Sequence, residues 1–189
     1  MVQEKGTFQM IGSDIRALRT ARDLTLKDMA QILNRSLGWI SQVERGLSEP
    51  SMKDLRAMAR VFDVPMSMLF GSSDGPEEER GHVVRASARR EIGERDEGLV
   101  ETLISPDLTD DFEVIHSTFL PGSALDKPKQ RATTEVAYLV SGRLDICIGD
   151  QRFTIEAGDS FRIKGSEYRW ANPYTDPACA IWVISPPVY

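Results

Sequence analysis

The chain has 189 residues, of which 41% are hydrophobic and 28% are charged, the composition of an ordinary globular protein. Its length suits one large domain or two small ones, and no apolar run is long enough to span a bilayer. No charged-then-apolar leader opens the sequence, so we expect a cytoplasmic protein with no membrane partner.

The formal net charge of −6 is unevenly distributed along the chain. Residues 1–70 contain ten Lys and Arg against eight Asp and Glu, whereas residues 71–189 contain thirteen against twenty-one. Phosphate attraction depends on the local field, so a mildly basic N-terminal part can bind DNA although the whole chain is acidic.

Helical periodicity over residues 13–70 predicts five short helices, most of them opened by a side chain that can cap the first turn. The predicted N-caps are Ser13 or Asp14, Thr25, Ser36 and Ser51. The predicted inner faces are Ile15 and Leu18, then Met29, Ala30 and Leu33, then Ile40 and Val43, and then Leu55, Met58, Ala59 and Phe62. Gly46 should end the third helix, and Met66, Leu69 and Phe70 indicate a short fifth helix after the break at Val64-Pro65.

The composition then changes to a polar, glycine-rich and acidic stretch that can form no core. From Val83 the period becomes two, and turn signals such as Gly149-Asp150 separate several short strands. The predicted strands are Leu99–Ser105, Phe112–Leu120, Glu135–Val140, Leu144–Ile148, Arg152–Glu156 and Ala178–Ile184. We therefore expect a two-domain α + β protein with a helical domain at 10–70, a linker at 71–82 and an all-β domain at 83–189.

Residues 24–46 read as two short amphipathic helices joined by a tight turn. Together with their flanks they resemble the helix-turn-helix of the phage-repressor, or XRE, family. The matching residues are Ile15-Arg16, Leu18-Arg19, Leu24-Thr25, Met29-Ala30, Ile40-Ser41, Val43-Glu44-Arg45-Gly46, Pro50-Ser51, Leu55 and Met58-Ala59. The resemblance implies a five-helix, lambda-repressor-like domain whose helix from Ser36 to Arg45 enters the major groove of double-stranded DNA. A homodimer on a pseudo-palindromic operator would be the bound form.

The resemblance also implies which side chains contact DNA. Gln42 has the chemistry to read an adenine, Ser41 can reach bases or phosphates, and Leu37 can contact a thymine methyl group. The full set of expected DNA contacts is Lys27, Arg35, Ser36, Leu37, Gly38, Trp39, Ser41, Gln42 and Arg45, with Lys27, Arg35 and Arg45 on phosphates. Two alternatives stay open, namely that Trp39 packs against a neighbouring side chain and that the helical domain binds protein.

Arg19 and Glu44 match family positions that form a buried ion pair between the first and third helices. Their expected role is architectural, because breaking such a pair from one side leaves the other charge unpaired.

The second half of the chain carries Pro121-Gly122, Glu135, Gly142, Gly158-Asp159 and Asn172-Pro173 in the order and spacing of the two cupin motifs. It resembles the cupin superfamily, which implies a double-sheet jelly-roll barrel, or double-stranded β-helix, that is often dimeric and has an internal pocket. Cupin pockets usually hold a metal through three His and one Glu. Here Lys129, Arg131 and Tyr168 stand at the approximate His positions, and protonated Lys and Arg offer no lone pair, so we expect no metal and no other cofactor.

Strand alternation places Lys129, Arg131, Thr133 and Glu135 on one face. This face could bind a small metabolite with an anionic group, held by Arg131 and Lys129, with Glu135 taking an amine on the same ligand. Alternatively, Arg131 and Glu135 neutralise each other and Tyr168 fills the old metal site. The expected ligand-binding residues are Lys129, Arg131, Glu135, Tyr138, Arg162 and Tyr168, with Phe153, Phe161 and Trp182 as further candidates for the pocket wall.

The sequence thus predicts a DNA-binding transcriptional regulator whose barrel dimerises and senses a small-molecule effector, with no catalytic residues. One alternative is an atypical, metal-independent cupin enzyme acting on a small anion. Another is a DNA-binding scaffold whose barrel only dimerises.

Overall fold

The computed structural model describes residues 3–64, 66–69, 77–79, 81–92, 96–106, 108 and 110–188, without the side chains of residues 3–10, 67 and 77. The chain divides into two compact units. The first runs to Arg90 and also takes in Pro106 and Leu108, and the second holds Glu91–Ser105 and Asp110–Val188.

The helical unit contains four α-helices among the residues that the structure describes. They are α1 (Gln3–Ala21), α2 (Leu26–Ile32), α3 (Leu37–Glu44) and α4 (Met52–Phe62). Single turns of 3-10 helix follow at Met66–Leu69, Glu77–Glu79 and Ala86–Ala88.

The predicted caps of α2, α3 and α4 are confirmed. Thr25 and Asp28 form a capping box, in which the Thr25 N–H donates to the Asp28 carboxylate at 2.8 Å and the Asp28 N–H donates to the Thr25 hydroxyl at 3.1 Å. Ser51 forms the same box at α4, and the Ser36 hydroxyl accepts from the Trp39 N–H at 3.1 Å. Gly46 follows α3 with a φ of 67°, the left-handed backbone expected of it.

The predicted start of α1 is wrong, because Ser13 and Asp14 lie inside a helix that begins ten residues or more before them, at Gln3. Residues upstream of Ser13 continue the helical hydrogen-bonding ladder, so no cap is needed there. The close approach of α1 to α3 occurs at Gly12, where an added Cβ would lie 2.3 Å from the carbonyl oxygen of Val43.

The core of the helical unit follows the predicted inner faces. Ile15, Leu18, Met29, Ile40 and Phe62 are fully buried, whereas Leu33 is only half-buried. The predicted fifth helix is a single 3-10 turn at Met66–Leu69, and its proposed member Phe70 lies outside the described residues. Most of the predicted linker, residues 71–76 and 80, also lies outside them.

The second unit is built from two antiparallel sheets. The described strands are β1 (Arg90–Glu91), which begins at the last residue of the first unit, β2 (Leu99–Leu103), β3 (Glu113–Phe119), β4 (Thr134–Ser141), β5 (Arg143–Ile148), β6 (Gln151–Glu156), β7 (Ser160–Lys164), β8 (Tyr168–Ala171) and β9 (Ala178–Ser185). The long sheet has the order β1-β2-β3-β9-β4-β7 and the short sheet the order β6-β5-β8. The rings of Phe119 on β3 and Trp170 on β8 meet edge to face at 4.8 Å, so the core lies between the sheets.

All six predicted strands are present, with ends within two residues of the expected ones. The Gly149-Asp150 hairpin is confirmed by the pairing of Ile148 with Gln151 and by the positive φ of Gly149. Strands β1, β7 and β8 were not predicted, because each offers at most two inward apolar side chains over five residues or fewer.

Candidate functional site

Helix α3 buries one face and exposes the other. Ile40 and Val43 are packed into the helical core, while Leu37 remains 50% exposed and Gly38 and Gln42 lie on the solvent side. The outward face therefore presents the apolar side chain of Leu37, the backbone of Gly38 and the amide of Gln42. A surface of this kind is able to approach base edges. Ser41 is half-buried, beside this face.

Arg35 and Trp39 form a small packed cluster with α4. Both Nε and Nη2 of Arg35 donate to Oδ1 of Asp54, at 3.1 and 2.8 Å, and the guanidinium lies 4.9 Å from the centre of the Trp39 ring. Trp39 thus packs against a neighbour, the alternative left open by the sequence. Arg35 remains 45% exposed, so a phosphate contact would share its guanidinium with Asp54.

The other predicted DNA-contacting residues surround α3. Lys27 is exposed on α2, and Arg45 is exposed at the end of α3, where its Nε donates to the carbonyl of Ser41 at 3.1 Å. Ser36 is exposed, although its hydroxyl is already used as the N-cap. Eight of the nine predicted residues therefore lie on α3 or at its two ends, and Lys27 lies on α2; the contacts of all nine with DNA stay predictions.

Arg19 holds α3 against α1. Its Nε and Nη2 donate to the two carboxylate oxygens of Glu44 at 2.6 and 3.2 Å, and its Nη1 donates to the carbonyl of Leu24 at 2.6 Å. The side chains of this pair are only 11% and 6% exposed. The ion pair between α1 and α3 is the one that the family resemblance implied, and the contact of the same guanidinium with the turn before α2 is additional.

In the strand unit, the predicted polar cluster lies around a small cavity of about 30 Å³, here called the inner cavity. Its lining comprises Asp96, Leu99, Glu101, Phe119, Lys129, Arg131, Glu135, Tyr168, Trp170, Trp182 and Ile184. Four of the six predicted ligand-binding residues are among them: Lys129, Arg131, Glu135 and Tyr168. The volume has room for about two water molecules.

The carboxylates of the inner cavity each have a hydrogen-bond donor. Glu135 is 2% exposed and accepts from the Thr133 hydroxyl at 2.7 Å, and Glu101 accepts from the Ser117 hydroxyl at 2.9 Å. Asp96 is paired with the Lys129 ammonium. Lys129 therefore forms an ion pair with Asp96, a partner that the sequence did not suggest.

Several donors of the inner cavity have no such partner. The nearest approach of Arg131 to Glu135 is 3.9 Å, from Nη1 to Oε1, which is an ion pair without a hydrogen bond. Nε1 of Trp182 is buried and has no hydrogen-bond partner among the described residues. Burial raises the pKa of Tyr168 to about 12, against the opposing effect of Arg131, so its hydroxyl is protonated at neutral pH and can donate.

Tyr138 and Arg162 do not reach the inner cavity, and the prediction that they line it is wrong. Along β4, Glu135 and Ala137 point inward, so Tyr138 points outward and is 49% exposed. Arg162 pairs with the outward Val136 and is itself exposed. Phe153 is 42% exposed on β6, whereas Phe161 packs edge to face on Trp182 at 5.3 Å.

Sequence reasoning missed Asp96 and Glu101. For Glu101 a signal was available, because it stands between the buried Leu99 and Leu103 at the inward phase of β2, where an apolar residue is expected. Asp96 lies before that strand, and only the tertiary structure brings it to Lys129.

The residues present do not fit the metal that cupin barrels usually hold. Lys129 and Arg131 have cationic side chains that offer a metal no lone pair, which leaves Glu135 as the one match to the usual ligand set. In the described parts of the chain, no group of three or more His, Cys, Asp or Glu side chains is placed to hold a metal ion.

A second, larger cavity of about 850 Å³, here called the outer cavity, opens to solvent next to the inner one. It is lined by residues 96–98 and 120–129. Asp96 and Lys129 line both cavities, so their ion pair forms part of the shared wall.

Comparisons with known proteins give two domain matches. Residues 11–69 match the family described as "Helix-turn-helix domain", and residues 115–184 match the "Cupin domain" family. The transcriptional regulator ClgR of Mycobacterium tuberculosis is 26% identical over 99 residues, covering 52% of this chain and 88% of that protein. The HTH-type transcriptional regulator PuuR of Escherichia coli is 21% identical over 156 residues, covering 81% and 82%.

Among solved structures, the cupin domain of an XRE family transcriptional regulator from Enterobacter cloacae is similar over 48% of this chain and 99% of that chain, at 21% identity and a TM-score of 0.43. Within the described residues, none of the helices has the length and apolar character needed to cross a membrane.

Proposed function

We propose that this chain, an XRE-type helix-turn-helix transcriptional regulator with a cupin domain, binds its operator as a homodimer under the control of a small-molecule effector. The observation that supports the DNA-binding surface best is the outward face of α3. Its exposed Gln42, Gly38 and Leu37 lie opposite a fully packed inner face. The bracing of α3 by Arg19 and Glu44 keeps this face in a fixed orientation.

The outer face of the long sheet supports a contact with a second copy of this chain. Val136 pairs with Val183, and Val183 with Val114, so apolar side chains form a row across three strands. Exposed apolar residues continue on either side of this row; the set with more than 40% exposure is Val100, Val136, Tyr138, Val140 and Val183. An apolar sheet face of this kind is typical of an interaction surface. We assign it to a second copy because reading two half-sites needs two recognition helices about one DNA turn, or roughly 34 Å, apart.

The barrel is proposed to control DNA binding through its inner cavity. An effector can change operator affinity only if it binds the DNA-competent and the incompetent conformations unequally. Because the residues at the usual metal positions cannot hold a metal, the barrel is proposed to sense its ligand without transforming it. A catalytic barrel would contradict this and would show as turnover of a bound ligand by the purified protein.

The test is selection of bound fragments from the genome that encodes the protein, followed by gel-shift titration of the selected site at fixed salt. An enriched inverted repeat is expected. A protein-binding helical domain would instead give no enriched sequence and only weak, salt-sensitive binding.

Gln42→Ala tests which side chain reads the sequence. We expect it to relax the preference at one operator position, at a cost of about 1–3 kcal/mol on the preferred base, because a bidentate amide contact to adenine is lost. Gln31→Ala, at an exposed position on α2, is the matched control and should leave the preference unchanged. Unchanged preference at every position in Gln42→Ala would show that α3 is placed in the groove in another register.

A further inference from the structure

The inner cavity contains a buried donor that has no acceptor. The carboxylates of Asp96, Glu101 and Glu135 each interact with another side chain, whereas Nε1 of Trp182 has no partner in the described chain. A buried donor without an acceptor has lost its hydrogen bond to water and gained none in return, so a structure retains one where something else supplies the acceptor.

Two further donors face the same space. The Arg131 side chain is 25% exposed, and its closest carboxylate oxygen is 3.9 Å away, so its planar set of N–H groups has capacity for an anion. The Tyr168 hydroxyl, protonated at neutral pH, lines the same cavity. An indole N–H, a guanidinium and a phenol together match the acceptor oxygens of a carboxylate.

The volume of the inner cavity limits the size of the group that can enter it. A cavity of about 30 Å³ takes a group the size of a carboxylate, not a whole metabolite. The remainder of a ligand must then extend past Asp96 and Lys129 into the outer cavity of about 850 Å³.

The charge of the residues that line the two cavities limits the chemistry of the remainder of the ligand. Among described residues, the two cavities are lined by an excess of acidic side chains: Asp96, Glu97, Glu101, Asp126 and Glu135 against Lys127, Lys129 and Arg131. A simple carboxylate would add to this negative charge, whereas a ligand that also carries an ammonium group would not. The natural position for that ammonium is Asp96, where the structure already holds the ammonium of Lys129.

We propose that the effector is an extended amino-carboxylate, with its carboxylate on Arg131, Trp182 and Tyr168 in the inner cavity and its ammonium at Asp96 in the outer one. The ligand's ammonium takes the place of Lys129 on Asp96. This releases the side chain of Lys129 into the outer cavity, which Lys129 also lines. The inference rests on the proposed sensing function of the barrel.

The experiment is calorimetric titration of the full-length protein, without DNA, with matched probes. The first set is 5-aminopentanoate, pentanoate, which lacks the ammonium, and pentylamine, which lacks the carboxylate. A length series from 3-aminopropanoate to 6-aminohexanoate and the α-amino acid alanine complete it. We expect one member of the ω-amino series to bind at least about tenfold more tightly than either singly charged probe of its length, because each charged contact contributes about that much.

Variants of the protein test the binding of the ligand's carboxylate and of its ammonium group separately. Arg131→Met should weaken the best probe at least about tenfold, whereas Arg169→Met, the matched control at an exposed position on β8 of the short sheet, should not. Asp96→Asn should weaken the amino-carboxylate and strengthen the simple carboxylate, since it removes one negative charge and frees Lys129. Trp182→Phe, which removes the N–H and keeps an aromatic ring, serves if Arg131→Met fails to fold.

Other outcomes overturn the inference in distinguishable ways. If pentanoate or pentylamine binds as tightly as 5-aminopentanoate, the barrel has a ligand of another class and the sensing function stands. If alanine binds best, the ammonium lies in the inner cavity and the assignment to Asp96 is wrong. If no probe binds while the operator is still recognised, the amino-carboxylate is excluded and the regulator remains.

Discussion

Arg19 shows how one side chain can position the helix that we propose as the recognition helix. Its three nitrogen atoms reach the carboxylate of Glu44 on α3 and the carbonyl of Leu24, while its backbone belongs to α1. The orientation of α3 therefore depends on a residue far from the outward face. Loss of this pair should affect stability and operator binding together.

We expect Arg19→Met to lower the free energy of unfolding of the helical unit by about 3 kcal/mol, because it leaves the largely buried Glu44 carboxylate unpaired. The measurement is urea unfolding followed by the helical circular dichroism signal at 222 nm. The double variant Arg19→Met/Glu44→Leu should recover part of the loss. If the double variant is no more stable than Arg19→Met, the unpaired carboxylate of Glu44 is not the cause of the lost stability.

At the scale of the element, Gly12 determines how closely α1 and α3 approach. An added Cβ there would lie 2.3 Å from the Val43 carbonyl oxygen, a backbone atom that cannot move without shifting α3. Gly38, on α3 itself, has no heavy atom within 4 Å of its added Cβ. The two glycines therefore have opposite tolerance for the same substitution.

We expect Gly12→Ala to destabilise the helical unit by about 1–3 kcal/mol through overpacking. Gly38→Ala should stabilise it by up to about 1 kcal/mol through helix propensity, while its new methyl group alters the face presented to DNA. Thermal unfolding and gel shifts on both variants check this. Equal stability of the two variants would contradict the close approach of α1 and α3.

The first turn of α4 depends on an ionised carboxylate. Burial by itself would raise the pKa of Asp54, but hydrogen bonds from Ser51 and Arg35 outweigh it and hold the pKa below its ordinary value. A carboxyl group with a lowered folded-state pKa stabilises the fold above its unfolded pKa, and this contribution is lost as the pH falls through the folded value.

We therefore expect the helical unit to lose stability as the pH falls below about 4, the ordinary pKa range of Asp. Asp54→Asn should be less stable at neutral pH and should show a shallower decline in acid. Urea unfolding at 222 nm between pH 7 and pH 3 measures both. Glu49→Gln, at an exposed position, is the control for loss of a charge. A decline in Asp54→Asn as steep as in the parent protein would refute the role of this cap.

At the scale of the whole molecule, dimer formation should depend on the outer face of the long sheet. We expect Val136→Asp to convert a dimer into a monomer, because a charge at the centre of an apolar interface is costly to bury. Light scattering after size-exclusion chromatography measures the change. Phe153→Asp is the matched control, with 42% exposure against 43% for Val136 but on the short sheet. A monomeric parent protein, or a dimeric Val136→Asp, would show that this face has another role.

The sequence by itself determined the local features of this protein. The caps Thr25, Ser36 and Ser51, the stop at Gly46 and the hairpin at Gly149-Asp150 are confirmed, because each depends on side-chain chemistry within a few residues. The inward phase of the longer strands, and with it the position of Glu135, follows from alternation.

Only the tertiary structure decided which residues meet. Asp96 reaches Lys129 across 33 residues of chain, and Arg35 reaches Asp54 across 19. Tyr138 and Arg162 were expected in the pocket by residue type, yet the pleat of β4 and its pairing with β7 turn both outward. Local periodicity fixes the face of a residue relative to its own strand, whereas partners from distant strands and the volume left between them depend on how the sheets close.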